Sequence, residues 1–455
     1  MKEDAVRIGL EIHGYILTEE KLFCGCKAEH GSKITKPNTN ICPICTGQPG
    51  AKPLLPNKTA VEKAIQIALI LGCKINNKII WQRKHYDWPD LPKGYQNTIS
   101  GTYAIPLGER GKFQDIRIRE AHIEEDPAAW NPQTGEIDYN RSGIPLIEIV
   151  TEPDFKSSEE VVEWLKQLII TLSYIKAIDK NLGIKADVNV SVGLCERIEV
   201  KNINSLKNIQ KTIEYEILRQ IKEKPIHQET RMYDENSGKT IRMRTKEDAQ
   251  DYRFISEPDL PAIIIKEEKI NKIKSNLPET PQKKLKRLIK KHEINKKSAE
   301  VLTKKLDIVE FFEKVVEKTS PKIAVQWVTI ELLRVLNYNK KELEEVSIKP
   351  EHFIELLNLV EKKSITELKA KEILNKFIPE SFSPGEHADN HKKISAKSDI
   401  EEFAREAIKK NPKAVEDYKA GQQNSLNFLI GQVMNLSDKR ADFKTAKVVL
   451  EKLLK

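Results

Sequence analysis

Up to about Ile265 the apolar residues of this chain recur at every second position in short runs broken by Gly and Pro; beyond Pro278 they recur at spacings of three and four. The first period is that of strands and the second that of helices, so a boundary is expected within residues 266–280. Three helices interrupt the first part. Asn57 offers a cap for one that reaches Leu71. Ser157 and Glu160 have capping-box spacing ahead of a stripe of Val161, Val162, Leu165, Leu168, Ile169, Leu172 and Ile175, and a third helix is expected over 205–222. After Pro281 the pattern predicts helices near 282–293, 296–318, 321–336, 350–362 and 365–377. Residues 379–397, which include SPGEHADNHKK, have little to bury and read as a linker; 398–455 return to short helices.

Strand parity sorts the charged residues of the first part onto faces. In RIGLEIH (7–13), Glu11 and His13 share one face, and Ile8, Leu10 and Ile12 the other. Strict alternation in RIREAHIEE (117–125) groups Arg117, Arg119 and Glu125, and in LIEIV (146–150) it groups Glu148 with Leu146 and Val150. Asp187, Asn189 and Ser191 alternate with Val188, Val190 and Val192, and Arg197, Glu199 and Lys201 with Ile198 and Val200. The expected fold is α+β: an antiparallel sheet with an apolar back covered by helices, then an all-helical region. A charged, concave front of this kind suits hard cations and polyphosphate, although an ordinary solvated sheet face shows the same alternation.

Composition narrows the class. The 455 residues are 39 % hydrophobic and 32 % charged, with a mean hydropathy of -0.52, which suits two to four soluble domains and excludes a membrane span. No basic-then-apolar segment opens the chain, so the expected compartment is the cytoplasm. In that reducing setting four of the six cysteines, Cys24, Cys26, Cys42 and Cys45, fall within 22 residues. Two turns each presenting two thiolates close a tetrahedron around a structural Zn²⁺; free thiols are the alternative, and His30 lies near enough in sequence to substitute as a ligand. Cys73 and Cys195 stand alone.

The net charge of +9 is modest, but Lys283–Lys305 holds ten Lys and Arg against Glu293 and Glu300. Lys283, Lys284, Arg287, Lys290 and Lys291 are candidates for nucleic-acid phosphates; a solvated helix face explains them equally. Residues 83–96 (RKHYDWPDLPKGYQ) form a loop stiffened by two prolines that carries charged and aromatic groups, the composition of many functional loops. Neither a P-loop nor a Gly-rich kinase loop is present.

RIGLEIH, the CxC and CPxC pairs, RKHYDWPDLPKGYQ, IEED (123–126), NRSGIPLIEIVTEPD (140–154), ADVNVSV, RIEVKNINS and residues 230–261 together resemble the B subunit of tRNA-dependent amidotransferases, and GQQNSLNFLIGQVM (421–434) resembles its tail domain. The resemblance implies a cradle-like catalytic domain over 1–275 with a zinc knuckle at 24–45, a helical domain over 280–378, the linker 379–397 and a tRNA-binding tail over 398–455. It implies an enzyme that uses ATP and Mg²⁺ to phosphorylate the side-chain carboxylate of Glu-tRNA(Gln) or Asp-tRNA(Asn). Ammonia from a partner amidase, the A subunit, would then form the amide, with the small C subunit completing the complex. By the same resemblance His13, Glu125 and Glu148 hold Mg²⁺, Glu11 and Glu124 lie close by, and Lys84 and Lys93 stand near an ammonia channel. His85, Asp87 and Trp88, and Pro-Ala-Ala-Trp after Asp126, depart from the family pattern, while GIKAD (183–187) resembles archaeal members. A non-catalytic zinc-containing tRNA-binding scaffold, or a relative of the archaeal E subunit without its inserted domain, are the alternatives.

Overall fold

The computed structural model describes residues 5–29, 35–178, 184–245, 252–387 and 392–454. His30, Gly183, part of the 230–261 stretch and part of the expected linker lie outside the described residues. The chain divides at Glu279/Thr280 into two compact units.

The first unit contains, in chain order, β1 (Val6–Tyr15), β2 (Lys74–Ile75), β3 (Lys78–Ile79), β4 (Gln82–His85), β5 (Gln96–Thr98), β6 (Gly108–Phe113), β7 (Ile116–Glu125) and β8 (Ala129–Trp130). Then follow β9 (Ile137–Asp138), β10 (Pro145–Thr151), β11 (Ile184–Val192), β12 (Ile198–Ile203), β13 (Glu229–Asp234), β14 (Lys239–Thr245), β15 (Arg253–Ser256) and β16 (Ile263–Ile264). Among the described residues the main sheet runs β14-β13-β12-β11-β1-β10-β7-β5-β4-β15, with β6 beside β7 and β2 beside β6. Its back is the expected apolar one: Ile8, Leu10, Ile12, Ile147, Ile149, Val188, Val190, Ile198 and Val200 are all buried in one core. Helices α1 (Lys58–Ile70), α2 (Ser158–Tyr174) and α3 (Leu206–Glu223) belong to the same unit, and their buried stripes join that core.

Each helix begins where its sequence predicts. The Asn57 side chain accepts from Thr59 N–H at 2.9 Å, Ser157 Oγ from Glu160 N–H at 3.2 Å, and Ser205 Oγ from Asn208 N–H at 3.1 Å. These contacts satisfy donors that a helix start leaves unpaired.

Two features depart from the expected antiparallel, strictly alternating sheet. First, β12 and β13 pair in parallel, so the sheet is mixed. Helix α3 lies between them and carries the chain back across the sheet, and a strand entered after such a crossover runs in the direction of the one before it. Second, the register between β10 and β7 shifts at Val150/Thr151: Val150 faces Glu120, but Thr151 faces Ile118. Ile116 and Ile118 enter the core before the shift, and Ala121 and Ile123 after it. The outward set therefore changes from Arg117 and Arg119 to Glu120, His122 and Glu124. Glu125 does not share a face with Arg117 and Arg119, because one bulged residue reverses all later parity.

A buried charge network joins α3 to the β13–β14 hairpin. Glu216 is fully buried and accepts from Arg219 Nη2 at 2.9 Å, lies 3.3 Å from Arg231 Nε, and accepts from Thr240 Oγ1. Removing Glu216 leaves two largely buried guanidiniums with only Glu229 and Glu223 as counter-charges. Glu216→Ala is expected to cost about 3–5 kcal/mol, read as a lowered urea midpoint; a loss below about 1 kcal/mol would mean that water reaches the two guanidiniums.

The second unit is helical. Its helices include α4 (Pro281–His292), whose first turn is capped by Thr280, followed by Lys296–Leu302, Leu306–Val316, Pro350–Glu361 and Glu367–Asn375. The terminal helices Lys397–Lys410, Asn424–Leu436 and Phe443–Leu453 enclose a separate cluster of Ile400, Ala404, Leu429, Ile430, Val433 and Leu450. Lys369 Nζ reaches Asp438 at 2.6 Å, and Lys393 N–H donates to Ser364 O at 2.7 Å, so the tail is tied to the preceding helices.

Candidate active site

Register places the front-face residues in a row. His13 of β1 stands opposite Glu148 of β10, which stands opposite His122 of β7. His13 Nε2 lies 3.5 Å from Glu148 Oε2; His122 Nε2 lies 3.0 Å from the same oxygen and 3.5 Å from Glu124 Oε1. His13, Glu124 and Glu148 each offer a ligand atom within 4.8 Å of the others. Gln96 of β5 donates to Glu124 Oε2 at 3.1 Å.

Burial pulls both imidazoles toward the neutral form, but Glu148 and Glu124 outweigh it, raising His13 to about 9 and His122 to about 10. Burial likewise pushes Glu148 up, yet His122 and His13 hold it well below the usual carboxylate range. For Glu124, burial and Glu148 are offset by Lys84 and His122, so its carboxyl is also lowered. Lys84 of β4 has its ammonium 4.7 Å from the Tyr252 ring and is raised because Glu124 and Glu148 overcome its desolvation. The front thus gathers buried negative charge and neutralises it with side-chain cations.

Glu125 looks elsewhere. It pairs with the Lys93 ammonium and accepts from Asn97 N–H at 2.8 Å. Lys93 in turn lies 5.1 Å from the Tyr95 ring and 5.7 Å from that of Phe23. The loop carrying Lys93 is anchored by Arg83, whose guanidinium donates to both oxygens of Glu257 at 2.9 and 2.8 Å. That bidentate pair fixes orientation as well as position.

Glu11, which the sequence groups with His13, belongs to a neighbouring set with Asp187 and Glu199. Lys201 already supplies its cation, at 2.8 Å from Asp187 and 2.6 Å from Glu199. Asn189 donates to Glu11 at 3.2 Å, and burial raises the Glu11 carboxyl. Sequence reasoning missed His122 and Gln96. His122 is visible in EAHIEE once the bulge is allowed for, whereas nothing local marks Gln96.

Cys24, Cys26, Cys42 and Cys45 bring their four sulfurs within 4.8 Å of one another. The Cys42–Cys45 separation of 3.9 Å matches the edge of about 3.8 Å that ~2.3 Å metal–sulfur bonds give a tetrahedron. The Cys24 thiol donates toward Cys45, which together with the Cys42 N–H and nearby Lys21 lowers Cys45 to about 5 despite burial. This is a possible metal site whose donors fit a soft cation. It also abuts the Lys93 loop: Gly47, at φ +66°, lies so close that a Cβ there would collide with the Pro92 carbonyl. Ser142 Oγ donates to Cys45 O at 2.6 Å, fastening the turn before β10 to the same knuckle.

In the second unit, Lys283, Lys290 and Lys291 are exposed on α4, whereas Lys284 and Arg287 both pair with Glu313. No helix among the described residues is long and apolar enough to cross a membrane.

Comparison with known proteins places the chain in a family. Residues 6–271 match the GatB/GatE catalytic domain and residues 310–454 match the GatB domain. The aspartyl/glutamyl-tRNA(Asn/Gln) amidotransferase B subunit of Methanocaldococcus jannaschii is 44 % identical over 483 aligned positions, covering 100 % of this chain and 99 % of its own. That of Methanobrevibacter smithii is 44 % identical over 453 positions, covering 98 % and 99 %. That of Methanococcus maripaludis strain C6 is 43 % identical over 472, covering 99 % of both. The chain belongs to the family of aspartyl/glutamyl-tRNA(Asn/Gln) amidotransferase B subunits.

Proposed function

We propose that this chain activates the side-chain carboxylate of Glu-tRNA(Gln) or Asp-tRNA(Asn) with ATP and converts it to the amide, in the cytoplasm, within a complex that includes the amidase (A) and small (C) subunits. The observation that carries this reading is the convergence of buried Glu124 and Glu148 with His13 on one sheet face, beside Lys84. A carboxylate oxygen attacks the γ-phosphorus of ATP and ADP leaves; ammonia then attacks the acyl carbon, loses a proton, and inorganic phosphate leaves. Both steps move negative charge, which Lys84, coupled to Glu124 and Glu148, and Lys93 would offset.

Glu124 and Glu148 offer the hard oxygens that Mg²⁺ takes, with His13 as the softer third donor. When bound, Mg²⁺ neutralises the phosphate oxygens of ATP. Glu125, a ligand by resemblance, is better suited to holding Lys93 in place, and Gln96 to orienting Glu124. The cysteine knuckle would hold a structural Zn²⁺, stiffening the turns that support the Lys93 loop. Helices of the second unit would grip the tRNA body, with 398–455 as a tail domain joined through 379–397.

The decisive assay combines the chain with its amidase partners, glutamine, Mg²⁺, labelled ATP and either misacylated tRNA. Phosphate release that requires the charged tRNA is expected, and the better of the two tRNAs identifies the substrate. Release indifferent to charging would instead favour a scaffold role. For the tRNA grip, Lys283, Lys290 and Lys291 changed together to Glu are expected to flatten the salt dependence of tRNA binding, reducing its log–log slope by about 2–3. An unchanged slope would remove that helix from the interface.

A further inference from the structure

Two tryptophans at the rim of the site remain without a role. Trp88, in the loop between β4 and β5, is 51 % exposed and packs edge to face on half-buried Trp130 of β8, with ring centroids 5.3 Å apart and an interplanar angle of 88°. An exposed indole loses apolar burial, and this loop already has other means of closure. Ala128 N–H donates to Asp90 O at 2.9 Å, Leu91 N–H to Trp88 O at 3.4 Å, and Arg141 Nε to Pro127 O at 2.9 Å. The first of these bonds joins the two segments and the other two stiffen each of them, whether or not the indoles touch.

Both segments start inside the site. Trp88 lies four residues from Lys84 and five from Lys93; Trp130 lies five residues beyond Glu125. Five residues span at most about 18 Å, so the chain tethers both indoles within that reach of Lys84, Lys93 and Glu125. Arg141, which pairs with Asp126 at 3.3 Å, donates to Pro127 O and so brings a guanidinium to the segment that carries Trp130. A rigid aromatic surface with cations beside it is the composition that binds unpaired nucleic-acid bases, because every base offers a π-face.

We propose that Trp88, backed by Trp130, is a stacking surface for an unpaired base at the acceptor end of the charged tRNA. This rests on the activity proposed above. The amino acid is esterified to the terminal ribose, so a side-chain carboxylate delivered to the front of the sheet brings the terminal nucleotide to its rim. That covalent link favours the acceptor end over the adenine of ATP, whose phosphates enter the same front independently. Trp88 is then a positioning residue: it fixes where the ester lies and so where the carboxylate reaches.

The chain suits a direct test, since its other three tryptophans, Trp81, Trp164 and Trp327, are buried. A single-stranded RNA ending in CCA is expected to quench the accessible tryptophan emission of the full chain. Its affinity, read by anisotropy of the labelled RNA, is expected to fall about tenfold in Trp88→Ala and less than about threefold in Trp88→Phe, which keeps a ring to stack on. In the assembled complex Trp88→Ala is expected to raise KM for the charged tRNA by about tenfold. Equal RNA affinity in wild type and Trp88→Ala, or quenching by ATP and not by RNA, would overturn the proposal. Loss of charged-tRNA-dependent phosphate release from the wild type would overturn the activity itself, whereas normal release with an unchanged KM in Trp88→Ala would overturn the stacking surface alone.

Discussion

Replacing Glu148 by Gln is expected to reduce charged-tRNA-dependent phosphate release about a thousandfold, the scale on which a lost charge-stabilising group acts in a buried site. Glu148 is the common member of the front-face contacts: it meets His13 at 3.5 Å and His122 at 3.0 Å, and joins Glu124 in the candidate ligand set. Gln preserves its shape but can neither hold a cation by charge nor balance two imidazoles that Glu148 helps to raise to about 9 and about 10. The loss is expected to be one of rate, with half-saturation by tRNA little changed, because the tRNA body would be held elsewhere. Steady-state turnover, alongside thermal melting to confirm folding, makes the measurement. Turnover within about threefold of wild type would exclude Glu148 from the chemistry.

Loss of the metal proposed at the four cysteines is expected to lower stability strongly. Anaerobically purified protein is expected to contain one Zn²⁺ per chain, and Cys45→Ser to lose it. Metal binding in such sites is coupled to folding. A local loss of about 3–5 kcal/mol, at about 2–4 °C per kcal/mol for a domain of this size, lowers Tm by about 10 °C. Activity should fall as well, because the knuckle touches the Lys93 loop through Gly47 and Pro92 and the turn before β10 through Ser142. Wild-type protein without stoichiometric zinc, melting as Cys45→Ser does, would show that the thiols pack without a metal.

Much of this was written locally. Asn57 and Ser157 cap the helices they were expected to cap, and Ser205 caps the helix expected to start there, since capping depends on only a few neighbouring residues. The spacing of Cys24, Cys26, Cys42 and Cys45 is equally short-range, and the four sulfurs converge. Ile8, Leu10 and Ile12 face the core because β1 alternates without interruption, which also set Glu11 and His13 outward. The family resemblance could be read along the whole chain because it rests on ordered motifs.

Other features depend on which strands meet. The parallel pairing of β12 with β13 follows from the path of α3, and alternation has no means of expressing direction. Whether Glu124 or Glu125 joins His13 and Glu148 is decided by the shift opposite Val150 and Thr151, a property of two strands paired and not of either alone. His122 enters the site through that same shift, and Lys201 occupies the acidic set around Glu11 only because β11 and β12 lie side by side. By itself, the sequence determined the apolar back, the helix starts, the cysteine cluster and the family; tertiary structure alone decided which charges face one another, because parity along a strand is local while register between strands is set by the packing of the whole sheet.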